Sequence, residues 1–126
     1  MRMVDTDVPV DILRGHPPAL AWFAALTELP GISGFVLMEL LSGCADNRRV
    51  HEVDRLVAPL TVVWPTEADC QRALADFHRY HLPHSIGMLD ALVAACAVGT
   101  GAVLYSFNTR HFRAISDLVV ESPYVR

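Results

Sequence analysis

Short apolar runs alternate along this chain with longer segments in which apolar residues recur at helical spacing. The short runs are typical of buried strands and predict them at residues 1–5, 32–33, 60–64, 102–106 and 118–120. The longer segments predict helices at 7–14, 19–29, 35–42, 46–57, 66–80 and 88–98, a loop at 81–87, and a loop with a short helix at 108–115. Strands that alternate with helices in this order predict an α/β fold with a parallel sheet covered on both faces.

Glycine, proline and capping residues set the predicted helix boundaries. Gly15 ends the first helix, and Pro17 begins the second because proline fits the first turn of a helix. Gly43 ends the third helix, and Asp46 is the predicted N-cap of the fourth. The Thr-Glu-Ala-Asp sequence that begins at Thr66 resembles a capping box, in which side chains and backbone amides at a helix start satisfy one another.

One uncharged stretch, residues 91–109, is long enough to span a bilayer. Gly99 and Gly101 divide it, however, and a strand-like apolar run follows them. The stretch therefore predicts a buried helix, a tight turn and a buried strand, with no membrane association.

Composition fits one domain, residues 1–126, whose length suffices to bury a core without disulfides or a structural metal. The hydrophobic content of 52% is high and indicates a sheet buried on both faces, an apolar surface for a partner, or both. The three cysteines Cys44, Cys70 and Cys96 are widely spaced and form no CxxC motif, which argues against a cysteine zinc site. They favour a reducing cytoplasm, and the first residues lack the apolar core of a signal peptide.

The net charge is −4, and ten arginines supply all the positive charge, because the chain has no lysine. Overall acidity is atypical of a nucleic-acid-binding protein. Arg48, Arg49 and Arg55 nevertheless fall in one segment, and Arg110 and Arg113 in another. The sequence leaves two interpretations of these segments, local basic patches and ordinary solvated helix faces.

Four polar residues lie in sequence that otherwise indicates a core: Asp5, Glu39, Asp90 and Asn108. A buried carboxylate has to be paired, protonated or bound to metal, and no lysine is present to pair with these. Sites in open α/β sheets form at the carboxyl ends of the strands, where this topology is expected to bring the four together. Oxygen ligands of this kind predict Mg²⁺ or Mn²⁺.

The Asp-Thr-Asp sequence at residues 5–7, after an apolar strand, fits either a metal-dependent nuclease or a haloacid-dehalogenase-like phosphatase. The phosphatase, like a receiver domain, requires a later lysine that this chain lacks. Asp7 is interpreted as an accessory metal ligand or as a helix N-cap, and Asp90 as a ligand or a cap. Thr6 and Ser106 are predicted accessory residues that orient water, phosphate or carboxylates through hydrogen bonds.

Taken together, these motifs make the chain similar to PIN-domain ribonucleases of the VapC type, the toxins of bacterial toxin–antitoxin pairs. The resemblance covers essentially the whole chain and has four parts in order. They are Val-Asp-Thr at 4–6 followed by Leu-Arg-Gly at 13–15, Glu-Leu-Leu-Ser-Gly at 39–43, Asp-Ala-Leu-Val-Ala-Ala at 90–95, and Asn-Thr-Arg-His-Phe at 108–112. Two positions depart from the family pattern, since Asp7 replaces a common Ser or Asn and Asn108 stands where some members have Asp.

This resemblance implies a three-layer α/β/α, PIN-like fold with a central, mostly parallel sheet. It implies a Mg²⁺- or Mn²⁺-dependent endoribonuclease acting as a type II toxin, which leaves a 5′-phosphate and a 3′-hydroxyl. Asp5, Glu39 and Asp90 would be the metal ligands, and Asn108 would complete the catalytic site. The alternative is a catalytically weak PIN-like module that acts mainly in assembly with an antitoxin and operator DNA.

The resemblance also implies partners. These are RNA as substrate, a second copy of the chain in a homodimer, and a cognate antitoxin. Operator DNA would be bound only indirectly, through the antitoxin. An antitoxin tail would place a basic side chain over the acidic site. The helix around Trp22, Phe23 and Leu26 and the one around residues 39–41 are the predicted walls of its groove.

Overall fold

The structure is a computed structural model that describes residues 1–126. The chain forms five strands and seven helices. Their order is β1 (Arg2–Val4), α1 (Asp7–Leu13), α2 (Pro17–Ala24), β2 (Gly31–Ser33), α3 (Gly34–Ser42), α4 (Asn47–Val57), β3 (Thr61–Val63), α5 (Glu67–His84), α6 (Met88–Thr100), β4 (Val103–Tyr105), α7 (Thr109–Phe112) and β5 (Val119–Glu121).

The strands form one sheet in the order β3-β2-β1-β4-β5, and every neighbouring pair is parallel. This confirms the predicted α/β class. The central strand β1 pairs Val4 with Ile32 on one side and with Tyr105 on the other. Strand order therefore reverses at β1, and the ends of β1 and β4 lie side by side at the switch point where α/β folds form their sites.

Both faces of the sheet are covered, as the pattern of burial in β1 shows. Consecutive residues of a strand point to opposite faces, and Met3 and Val4 are both buried. Helix α6 supplies much of the cover, because all its residues from Val93 to Ala97 are buried. Its alanines are small, which permits the close packing of α6 against α5. Residues 91–105 thus form the predicted buried helix, turn and strand.

Predicted caps are present at two helix starts. The Asp46 carboxylate accepts the backbone N–H of Arg49 at 2.9 Å, as expected for the N-cap of α4. Thr66 and Asp69 form a reciprocal capping box at the start of α5, with distances of 3.1 and 2.9 Å. None of the helices is both long and apolar enough to cross a membrane.

Two predicted helix ends are wrong. Helix α2 ends at Ala24 rather than at residue 29, and Leu29 is exposed, so its apolar side chain does not serve helix packing. Helix α5 continues beyond residue 80 to His84, into the predicted loop. Ring contacts one helical turn apart support this extension, since the ring centroids of Phe77 and His81 lie 4.6 Å apart.

Candidate functional site

A cavity of about 270 Å³ opens where β1 and β4 end, and no apolar residue lines it. The lining residues are Asp5, Thr6, Asp7, Glu39, Asp90 and Asn108. Four segments of the chain contribute them, namely the β1–α1 junction, α3, α6 and the loop before α7. The structure therefore brings all four polar residues singled out in the sequence to one place, together with Thr6 and Asp7.

Asp5 is the most buried acid of this pocket, with 8% of its surface exposed. Its Oδ2 accepts a hydrogen bond from the Ser106 hydroxyl at 2.8 Å, and its Oδ1 accepts the N–H of Thr6 at 2.9 Å. Burial, and then repulsion from Asp7 and Asp90, raises the pKa of Asp5 to about 6 although the two hydrogen bonds act in the opposite direction. The site thus holds a carboxylate whose charge is poorly compensated.

Asp7 is not the helix N-cap that the sequence allowed. It is the first residue of α1, and the cap position belongs to Thr6, which makes no side-chain capping bond. Asp7 Oδ2 instead accepts the backbone N–H of Phe107 at 2.8 Å, from a loop 100 residues away in sequence. Its Oδ1 is buried without a hydrogen-bond partner, and burial above all raises the pKa of Asp7.

Glu39 and Asn108 are exposed, so the prediction that all four polar residues are buried is wrong for these two. Glu39 projects from α3 beside the buried Leu40 and accepts a hydrogen bond from the Thr6 hydroxyl at 3.0 Å. Asn108 donates its N–H to Ser106 Oγ at 2.9 Å. Apolar neighbours in sequence are a poor guide here, because both residues line the cavity at exposed positions although Leu40 and Ser106 close by in sequence are buried.

Asp90 is half-buried, and its carboxylate both caps a helix and lines the acidic cavity. It is the third residue of α6, and its Oδ2 accepts the N–H of Gly87 at 3.1 Å, which stabilises the start of the helix. The same carboxylate lines the cavity with Asp5.

The donor set of the cavity fits a hard divalent cation, since every lining side chain offers oxygen and none is basic. The unpartnered Oδ1 of Asp7 adds a buried oxygen that lacks a donor. The side chains are not closed around one point, because no three Asp, Glu, His or Cys groups lie close enough together to hold a single ion. The pocket has the ligand chemistry of a metal site, with its acids spread around the cavity wall.

A second, larger cavity of about 460 Å³ adjoins the first and shares Thr6 and Glu39 with it. It runs between α1, α3 and α4, and its other lining residues are Val10, Leu13, Arg14, Leu40, Gly43, Cys44, Ala45, Arg49, Glu52 and Val53. Trp22, predicted as part of a groove wall, does not line this cavity and packs against Tyr105 at 5.3 Å and Tyr124 at 5.9 Å between ring centroids.

Sequence reasoning missed the two arginines of this groove. Arg14 was visible only as part of a motif, and Arg49 only as part of a local basic segment. Their place in the same groove as Glu39 depends on how α1 and α4 pack, for which the sequence carries no local signal.

Comparison with known proteins agrees with this geometry. The chain matches the PIN domain family model over residues 2–118. It is 36% identical to ribonuclease VapC19 of Mycobacterium tuberculosis (strain CDC 1551 / Oshkosh), in an alignment covering 98% of this chain and 100% of the relative.

Solved structures share the fold over nearly the whole length. A chain of the DNA-bound VapBC complex from Salmonella typhimurium has a TM-score of 0.83 and 26% identity, covering 98% of this chain and 99% of that one. VapBC-1 from nontypeable Haemophilus influenzae has a TM-score of 0.80 at 21% identity, with 97% of each chain covered.

Proposed function

The chain belongs to the PIN-domain family, among its VapC-type members, and on that basis we propose that it is a metal-dependent endoribonuclease, the toxin of a toxin–antitoxin pair. The observation that carries the proposal is the wholly polar cavity at the ends of β1 and β4, where Asp5, Glu39, Asp90 and Asn108 meet. Family membership excludes the haloacid-dehalogenase-like phosphatase, which has a different fold. We place the activity in the cytoplasm.

In this proposal Asp5, Glu39 and Asp90 hold Mg²⁺ or Mn²⁺, and Asn108 completes the site. A divalent ion held by these residues would supply Lewis-acid chemistry, which makes water more acidic and offsets negative charge on the scissile phosphate. The protein's part is to hold the acids in place. Ser106 does this for Asp5, and Thr6 does it for Glu39, each through one hydroxyl hydrogen bond.

Water is the nucleophile best supported by the geometry. The hydroxyl of Ser106 is fully buried and donates to Asp5, so it is not free to attack a phosphate. Cys96 is buried as well, and burial raises its thiol pKa to about 11, which keeps it protonated. In this proposal water attacks the phosphorus and the 3′ oxygen leaves with a proton, which gives a 5′-phosphate and a 3′-hydroxyl, as the family resemblance implies.

RNA cleavage by the purified protein tests this function, with Asp90→Asn as the variant and Asp46→Asn as its matched control. Both substitutions remove one carboxylate near a helix start, but Asp46 lies outside the cavity and Asn is an equally good N-cap. We expect Asp90→Asn to lower the cleavage rate by at least about 100-fold and Asp46→Asn to retain it.

Excess EDTA should abolish wild-type cleavage. Cleavage that persists in EDTA, or that survives Asp90→Asn, would contradict the metal mechanism. If no RNA is cleaved with Mg²⁺ or Mn²⁺, the chain is instead the catalytically weak assembly module.

We further propose that a cognate antitoxin occupies the groove between α1, α3 and α4. Apolar side chains such as Val10 and Leu40 suit one face of an amphipathic segment, and Glu39 offers a charge partner for its Arg or Lys. Because Glu39 also lines the acidic cavity, a tail bound there would compete with metal. The proposed assembly is a homodimer that reaches operator DNA only through the antitoxin. The likeness to a chain of the DNA-bound VapBC complex from Salmonella typhimurium supports the antitoxin as partner.

A further inference from the structure

The last residues of the chain return to helix α1 and bind Asp11. Asp11 is only 5% exposed, and its Oδ2 accepts the Tyr124 hydroxyl at 2.8 Å and Arg126 Nε at 3.1 Å. Its Oδ1 accepts Arg126 Nη2 at 3.1 Å, so the guanidinium and the carboxylate form a two-point ion pair. Burial alone would raise the pKa of Asp11, but the hydrogen bonds from Arg126 and Tyr124 hold it below its usual range.

The same two residues also contact the loop that borders the acidic cavity. The Arg126 guanidinium lies 4.9 Å from the centre of the Phe107 ring, and the Tyr124 ring meets Phe107 edge-on at 4.9 Å. Phe107 stands between Ser106, which donates to Asp5, and Asn108, which lines the cavity. Its own N–H donates to Asp7.

We propose that Tyr124 and Arg126 form a clamp that positions the loop 106–108 against α1. The clamp contacts α1 at Asp11 and the loop at the Phe107 ring. One helical turn away, the hydrogen bond from the Phe107 N–H to Asp7 joins the same loop to α1. Tyr124 and Arg126 are positioning residues, since neither of them lines the acidic cavity or the adjoining groove. This role rests on the proposed nuclease function of the cavity.

A clamp and a merely stabilising contact predict different patterns of amide exchange. If Tyr124 and Arg126 only contributed to global stability, their loss would accelerate exchange throughout the sheet. A clamp on the loop predicts faster exchange at Phe107 and Asn108, with amides of the central strands such as Leu104 and Ile32 changed much less. Exchange measured by NMR therefore reports on the clamp without reference to RNA.

The variants are Tyr124→Phe, which keeps the ring, and Arg126→Gln, with Arg72→Gln as the matched control. Arg72 lies on α5, forms an ion pair with Asp117 at 3.0 Å and lines neither cavity. In both clamp variants we expect Phe107 exchange to rise about tenfold relative to Leu104. We expect kcat for RNA cleavage to fall about tenfold with KM changed less than about twofold, because misplaced groups lose transition-state contacts.

Unchanged exchange at Phe107, or no protection of this amide in the wild type, would overturn the clamp whatever the cleavage data. Faster exchange at Phe107 with unchanged kcat would overturn its positioning role. If the wild type cleaves no RNA, the proposed function fails and the exchange pattern still decides whether the clamp holds the loop. A response of Arg72→Gln equal to that of the clamp variants would also contradict the proposal.

Discussion

Two buried carboxylates, Asp5 before helix α1 and Asp11 within it, have opposite electrostatic environments. Asp11 is paired with Arg126 and hydrogen-bonded by Tyr124, and its pKa is held below the usual range. Asp5 has only neutral donors and two acidic neighbours, and its pKa is raised to about 6. The protein therefore supplies its own cation at Asp11 and none at Asp5, which is the contrast expected between a structural carboxylate and a ligand of the proposed metal site.

The largest effect that separates the two acids should be seen in the pH dependence of stability without metal. Because the pKa of Asp5 is raised, protonated Asp5 contributes to the free energy of unfolding. This contribution is fully present below pH 3.8 and is lost as the pH rises to about 6. The loss is about 3 kcal/mol, since one pKa unit corresponds to about 1.4 kcal/mol. Asp11 has the opposite sign, because its lowered pKa contributes stability above pH 3.8 that is lost on further acidification.

Urea unfolding of wild type and Asp5→Asn in EDTA, from pH 3.5 to 7.5, measures this difference. The free energy of unfolding of Asp5→Asn relative to wild type should rise with pH and level off above about pH 6. A difference that is independent of pH would mean that Asp5 is not the uncompensated acid.

Removing the paired acid should have a smaller and opposite effect on stability. Asp11→Asn loses the charge-assisted hydrogen bonds to Arg126, so we expect the free energy of unfolding at pH 7 to fall by about 2 kcal/mol. Under the same conditions Asp5→Asn should be neutral or stabilising, because it relieves repulsion. Chemical denaturation compares the two directly, and equal destabilisation by both would remove the contrast.

The exposed acid Glu39 should show the smallest effect, and on binding rather than folding. Glu39→Gln removes the charge that the groove offers to a basic antitoxin side chain, so we expect affinity for the antitoxin to fall about tenfold. Glu52→Gln is the matched control at the same groove. Calorimetry with the antitoxin measures both, and equal affinities of wild type and Glu39→Gln would show that the tail does not pair with Glu39.

Local patterns were enough to predict most of the strands and the membership of the acidic site. Asp5 and Asn108 follow apolar strands that the sequence identifies, and a parallel sheet brings such ends to one edge. The exposure of Glu39 and Asn108 was not predictable, because it depends on which residues form the rim of a cavity. The link from Asp7 to Phe107 and the clamp on Asp11 join residues about 100 positions apart, so no periodicity or spacing indicates them.

Binding of Mn²⁺ tests the central claim most directly, which is that the uncompensated acids hold a divalent cation. At about ten times its Kd the ion should raise the free energy of unfolding of the wild type by about 1.4 kcal/mol and increase Tm by several degrees. Asp5→Asn should lose this shift, and Asp46→Asn, whose acid lies outside the cavity, should retain it. A wild-type Tm that does not respond to Mn²⁺ or Mg²⁺, or an equal shift in Asp5→Asn, would contradict the account.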